Sequence, residues 1–125
     1  MPAVGQRPLI HRLAAANVVG LTAAYCASKH AILGFTRALA LELTPQQITV
    51  NAICPGWVDT EMAEQGMRAG AAATGQTFEQ FRDAALGRVP IKRIIQPEEV
   101  ASLVAFLASP AASAITGVAL EGPRA

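Results

Sequence analysis

Residues 23–53 read AAYCASKHAILGFTRALALELTPQQITVNAI, and this stretch decides the fold. Ala24, Ala27, Ala31, Phe35, Leu39 and Leu43 recur at intervals of three or four with no intervening proline, which predicts a helix over 23–43. Ile32, Leu33 and Leu41 fall on its other faces, so the pattern predicts burial on more than one side. Thr44-Pro45 ends the helix, because a residue before proline avoids the α region. Ile48–Ile53 then reads as a short β-branched strand, broken by Cys54-Pro55-Gly56.

Working outward, a second helix is predicted to open near Thr60, while 66–76, with Gly66, Gly70 and Gly75, reads as a mobile loop or weak helix. Thr77-Phe78-Glu79-Gln80 fits a capping box and predicts a helix to about Leu86. Another opens at Pro97, where proline loses no hydrogen bond and Glu98 and Glu99 meet the positive end of the dipole. Val100, Leu103, Val104 and Leu107 form its predicted buried stripe, and Ser109-Pro110 stops it. Gly117–Leu120 is a candidate last strand. Helix, strand, helices, strand is the order of an α/β fold with a parallel sheet flanked by helices. No regular structure is predicted for residues 1–20.

Composition sets limits on function. The chain has 125 residues, 52% hydrophobic and 15% charged, with a net charge of +1; its mean hydropathy is +0.35. Disorder requires the opposite balance. A near-neutral chain carries no field directed at nucleic acid. Leu13–Ser28 is too short for a membrane span, and Val100–Leu120 is interrupted by Pro110, so no membrane association is expected. Cys26 and Cys54 show no metal or redox spacing, which fits buried thiols in a reduced, cytoplasmic setting. No metal site is expected.

Tyr25 and Lys29 stand one helical turn apart, on one face and about 6 Å apart along the axis. The bland reading is a surface pair with the lysine stem lying along the ring. The chemical reading is acid–base work. A phenol titrates near pH 10, and bringing it near 7 requires about 4 kcal/mol of phenolate stabilisation. An ammonium about 4 Å away supplies that order at an effective dielectric near 20.

With its neighbours, the pair resembles a known family. Tyr25-Cys26-Ala27-Ser28-Lys29 and the run to Glu42 are similar to the active-site helix of the short-chain dehydrogenase/reductase family. Ile48 to Thr60 is similar to its next strand and Pro-Gly turn. Arg88-Val89-Pro90, Pro97-Glu98-Glu99-Val100-Ala101 and Ile115-Thr116-Gly117 resemble its C-terminal part, closest to 3-oxoacyl reductases and hydroxybutyrate dehydrogenases.

The resemblance implies a Rossmann-like, doubly wound parallel sheet in three αβα layers, of which 21–125 would be the C-terminal part and 1–20 an irregular or displaced segment. It implies NAD or NADP as cofactor, and an alcohol, ketone or acyl thioester as substrate. Tyr25 takes the general acid/base role. Lys29 lowers the tyrosine pKa and holds the nicotinamide ribose. Pro55 and Gly56 lie beside the nicotinamide, the Val58 backbone meets the carboxamide, and Thr60 lies near the carboxamide and phosphates, or caps a helix, or both. The stretch 61–76 corresponds to the substrate loop. A homo-oligomer, dimer or tetramer, is implied for a full-length protein.

Two family features are missing from these 125 residues. No G-x-x-x-G-x-G phosphate turn occurs, and the window Ile10–Ala15, where the family's catalytic serine falls, holds no serine. The expected state is an incomplete half-domain, inactive alone and prone to aggregate through an open strand edge and exposed apolar helix faces. The alternatives are a non-catalytic fragment or interaction module, and epimerase or dehydratase chemistry on the same tyrosine–lysine pair.

Overall fold

The computed structural model describes residues 6–10, as backbone, and 23–122. The central element is β2 (Thr49–Cys54), all six residues of which are buried. It is preceded by α1 (Ala23–Leu43), the helix read from the sequence. The Thr44-Pro45 stop adds one tightened 3-10 turn, Thr44–Gln46, before Gln47 in left-handed conformation (φ 58°) turns the chain into β2. β2 begins and ends one residue later than the pattern predicts.

β3 (Ala119–Glu121) pairs with β2 in parallel, Ala52 opposite Ala119 and Cys54 opposite Glu121. The predicted last strand thus starts two residues late, because Gly117 (φ 72°) is still turning. Its amide donates to the Val50 carbonyl at 2.7 Å. On the other side of β2 lies β1 (Gln6–Ile10), also parallel, in register from Gln6–Thr49 to Ile10–Ile53. This corrects the irregular reading of 1–20 over those five residues. A buried central strand needs partners for its backbone on both sides. Pro8 lacks an N–H for the ladder and is tolerated at the edge of a sheet. The remainder, 1–5 and 11–20, lies outside the described residues, as do 21–22 and 123–125.

Helices cover both faces of the sheet. Ile53 packs with Leu107 and Ala112 in the buried core, against Val100, Leu103 and Val104 of α4 (Pro97–Leu107). The predicted stripe of α4 is therefore the observed one. By the two-residue period of a strand, Val50, Ala52 and Cys54 face the opposite layer, which is α1. These are three αβα layers. α1 buries Thr36 and Ala40, whereas Phe35 is 56% and Leu41 79% exposed. Of the faces predicted to be buried, the described residues cover one.

Over 61–76 the structure takes the helical alternative of the sequence reading and not the mobile loop. A single helix, α2 (Glu61–Thr74), runs through this stretch. Alanines supply helix propensity, Thr60 caps the start, Glu61 and Glu64 sit in the first turn, and Gly75 (φ 67°) closes the end. Gly70 serves packing rather than flexibility: a Cβ there would lie 2.3 Å from the Phe81 ring of α3 (Phe78–Gly87). The capping box on α3 is present as read, with Gln80 N donating to Thr77 Oγ1 at 3.2 Å and Thr77 N donating to Gln80 Oε1 at 3.0 Å. Among the described residues, no helix is long and apolar enough to cross a membrane.

Candidate active site

Only residues 44–48 separate α1 from β2, so the helix packs antiparallel to the strand. At about 1.5 Å per residue, Lys29 lies about 21 Å from Leu43 along the axis. The six residues of β2 span about 20 Å. Lys29 therefore stands level with the C-terminal end of β2, and Tyr25 one turn beyond it. This is the edge at which open parallel sheets bind ligands.

Tyr25 is 37% exposed. Lys29 Nζ lies 5.3 Å from the centroid of its ring. That distance is a cation–π contact, and it keeps a positive charge beside the phenol. Ser28 Oγ donates to the Tyr25 carbonyl at 2.7 Å, closing the first turn beneath the pair. His30 Nδ1 is bonded to the Cys26 carbonyl at 2.8 Å, a local helix contact that gives it a structural role.

The Pro55–Thr60 turn leaves β2 at the same edge. It is held from two remote parts of the chain. Gly122 N donates to the Cys54 carbonyl at 2.8 Å. A Cβ at Gly122 would lie 2.9 Å from Gly56 N and 3.2 Å from Pro55 Cα, so only glycine lets the strand end approach this closely. Further along, Val58 forms a parallel bridge with Ile95. Ile95 N donates to the Trp57 carbonyl and Asp59 N to the Ile95 carbonyl, each at 2.8 Å. In such a bridge the N–H and C=O of Val58 itself point away from Ile95. That leaves a donor and an acceptor side by side on the outer edge of the bridge, the carbonyl also accepting from Thr60 Oγ1, which is the chemistry a carboxamide would pair with.

Thr60 is first a helix cap. Its Oγ1 accepts from Ala63 N at 3.2 Å and donates to the Val58 carbonyl at 3.3 Å. Thr60→Ala is expected to lower stability by about 1 kcal/mol, with Thr60→Ser restoring most of it, in urea unfolding followed by helical circular dichroism. Equal stability of the alanine and serine variants would contradict the cap.

Two clefts flank the turn. One, of about 350 Å³, is apolar and lies on the α4 side between Ile53, Pro55, Ile95, Leu103 and Leu120. The other, of about 280 Å³, lies beneath α2 and α3, lined by Asp59, Met67, Phe78 and Arg82. Neither is lined by Tyr25 or Lys29, which stand on the α1 layer. The serine window, beyond Ile10, lies outside the described residues. Sequence reading missed Ile95 and Gly122, because single apolar and glycine residues far from a motif carry no local signal.

A family model described as enoyl-(acyl carrier protein) reductase matches residues 9–121. The chain belongs to the short-chain dehydrogenase/reductase family. It is 44% identical over 93 residues to 3-oxoacyl-(acyl-carrier-protein) reductase FabG of Pseudomonas aeruginosa, covering 74% of this chain and 33% of that protein. It is 37% identical over 123 residues to D-beta-hydroxybutyrate dehydrogenase of Cupriavidus necator, covering 94% and 48%. Among solved structures, a variant of the actinorhodin polyketide ketoreductase with NADPH superposes with a TM-score of 0.85 at 43% identity, over 94% of this chain and 45% of that one. An NAD+-bound xylitol dehydrogenase superposes with a TM-score of 0.79 at 32% identity, over 93% and 47%. The chain thus spans a third to a half of the length of these curated relatives. The Rossmann-type α/β reading of the sequence stands.

Proposed function

We propose that this chain provides the proton-transfer and nicotinamide-facing part of an NAD(P)-dependent oxidoreductase that interconverts a secondary alcohol and a ketone, with 3-oxoacyl thioesters as the favoured substrate class. The observation that carries this reading is the juxtaposition of Lys29 Nζ and the Tyr25 ring at 5.3 Å, level with the end of β2. Membership of the family and the likeness to ketoreductases support it.

The nicotinamide, when bound, supplies or takes the hydride. In the reducing direction Tyr25 Oη donates its proton to the carbonyl oxygen as negative charge develops there. Lys29, beside the ring, stabilises the phenolate left behind and is placed to bind the ribose hydroxyls. Pro55 and Gly56 form a wall beside the nicotinamide. The Val58 N–H and C=O orient its carboxamide, and Thr60 lies at the carboxamide and phosphate side. The 125 residues contain no glycine-rich phosphate turn, so the chain by itself is assigned no turnover.

The test is NADPH consumption with a 3-oxoacyl thioester, measured for this chain alone and for this chain completed by the first half of a ketoreductase relative. Turnover only by the completed protein is the expected result. A completed protein that folds, binds NADPH and reduces neither a 3-oxoacyl thioester nor a simple ketone would overturn the reading.

A further inference from the structure

The Val58–Ile95 bridge is made by one residue from each of two loops, and so short a ladder needs support. That support comes from residues flanking Ile95. Arg93 forms a two-pronged ion pair with Glu99, Nη1 to Oε2 at 2.7 Å and Nη2 to Oε1 at 2.6 Å. Glu99 Oε2 also accepts from Gln96 N at 2.8 Å, capping α4. Arg93 Nη1 reaches the Ile94 carbonyl at 3.2 Å. The guanidinium and carboxylate thereby close 93–99 into a clip, with Ile95 at its centre, facing Trp57 and Asp59.

We infer that Arg93 and Glu99 are positioning residues, which hold Ile95 so that its ladder presets the Val58 backbone for the nicotinamide carboxamide. The role toward the cofactor rests on the function proposed above; the clip itself does not. An isolated exposed ion pair contributes little. This one combines fork geometry with a helix cap, and both constrain one short segment. Arg93 holds the Glu99 carboxyl at about 2, well below the usual range, with the Gln96 N–H adding to the effect. A carboxylate depressed in the folded state stabilises it above the ordinary carboxylate range. That contribution fades as the pH falls toward 2.

The experiment is amide hydrogen exchange on this chain completed by the first half of a ketoreductase relative, read at the amides of this chain. Arg93→Ala and Glu99→Gln are each expected to speed exchange at the Ile95 and Asp59 amides ~fivefold or more, with Ala52 and Ile53 unchanged. Glu99→Gln keeps a capping side chain and loses the charge, which separates the clip from the cap. Arg93→Lys keeps the charge and loses the fork, and is expected to fall between wild type and Arg93→Ala. Unchanged exchange at Ile95 and Asp59 overturns the inference, as does an equal rise across β2, or a wild type with no protection at these two amides. In the completed protein, Arg93→Ala is expected to raise the NADPH KM ~threefold or more with kcat within about twofold. A fall in kcat with unchanged KM contradicts the positioning role. Absence of turnover in the completed wild type sinks the proposed function and leaves the exchange result standing.

Discussion

Tyr25→Phe is expected to lower the turnover of the completed protein by about 10³, with NADPH affinity within about twofold of wild type. The substitution deletes one oxygen from a residue that is 37% exposed, so it opens no cavity and strands no buried partner. The phenylalanine ring still lies beneath Lys29, whose ammonium is 5.3 Å from the ring centroid. Only the transferable proton is lost. Hydride arrival would then generate an alkoxide without the phenolic proton to neutralise it, at a penalty of about 4 kcal/mol for a thousandfold. Steady-state kinetics with a 3-oxoacyl thioester measure it. A phenylalanine variant retaining more than a tenth of wild-type kcat would remove Tyr25 from the chemistry and favour a non-catalytic role for the chain.

Asn51→Ala carries the largest expected loss of stability. Asn51 is 1% exposed in the central strand. Its Nδ2 donates to the Ile115 carbonyl at 2.8 Å, and its Oδ1 accepts from Val118 N at 3.4 Å. The neighbouring contacts converge on the same turn: Val50 N donates to Thr116 Oγ1 at 3.1 Å, and Ala52 N to the Val118 carbonyl at 2.9 Å. Asn51 thus joins β2 to the segment that leads into β3. Alanine leaves the half-buried Ile115 carbonyl and the Val118 amide without their side-chain partner and opens a void at a fully buried position, a loss of about 2 kcal/mol. The melting temperature of the completed protein is expected to fall by about 10 °C. Asn51→Asp, which keeps the acceptor and loses the donor, is expected to be no better. A fall under 2 °C for alanine would show that the turn is held by the backbone alone.

The sequence was most legible where periodicity and caps are local properties. α1 and the α3 capping box stand as read, because a proline stop and a Thr-x-x-Gln pair act within one turn. α4 opens at Pro97 as read, but its capping box starts at Gln96, outside the usual Ser/Thr pattern, so the second role of Glu99 went unseen. The start of α2 near Thr60 was legible, but its glycines look like breakers, so the reading left 66–76 open between a mobile loop and a weak helix. Gly70 is instead cut to the Phe81 ring, a partner beyond the helix. β1 was invisible because a five-residue edge strand containing proline has no pattern of its own and is specified by the strand it pairs with. In the site, Tyr25 and Lys29 were readable because one helix spaces them. What holds the Pro55–Thr60 turn was not, since Ile95 and Gly122 reach it only through the tertiary fold.

The most direct measurement is an NADPH titration of the completed protein followed through Trp57. This is the only tryptophan of the chain, and it sits inside the turn assigned to the nicotinamide. With a first half free of tryptophan, its emission is expected to fall saturably as reduced nicotinamide binds, with matching energy transfer into nicotinamide fluorescence. NADPH bound by the completed protein with Trp57 emission unchanged would place the nicotinamide elsewhere and contradict the assignment of this turn.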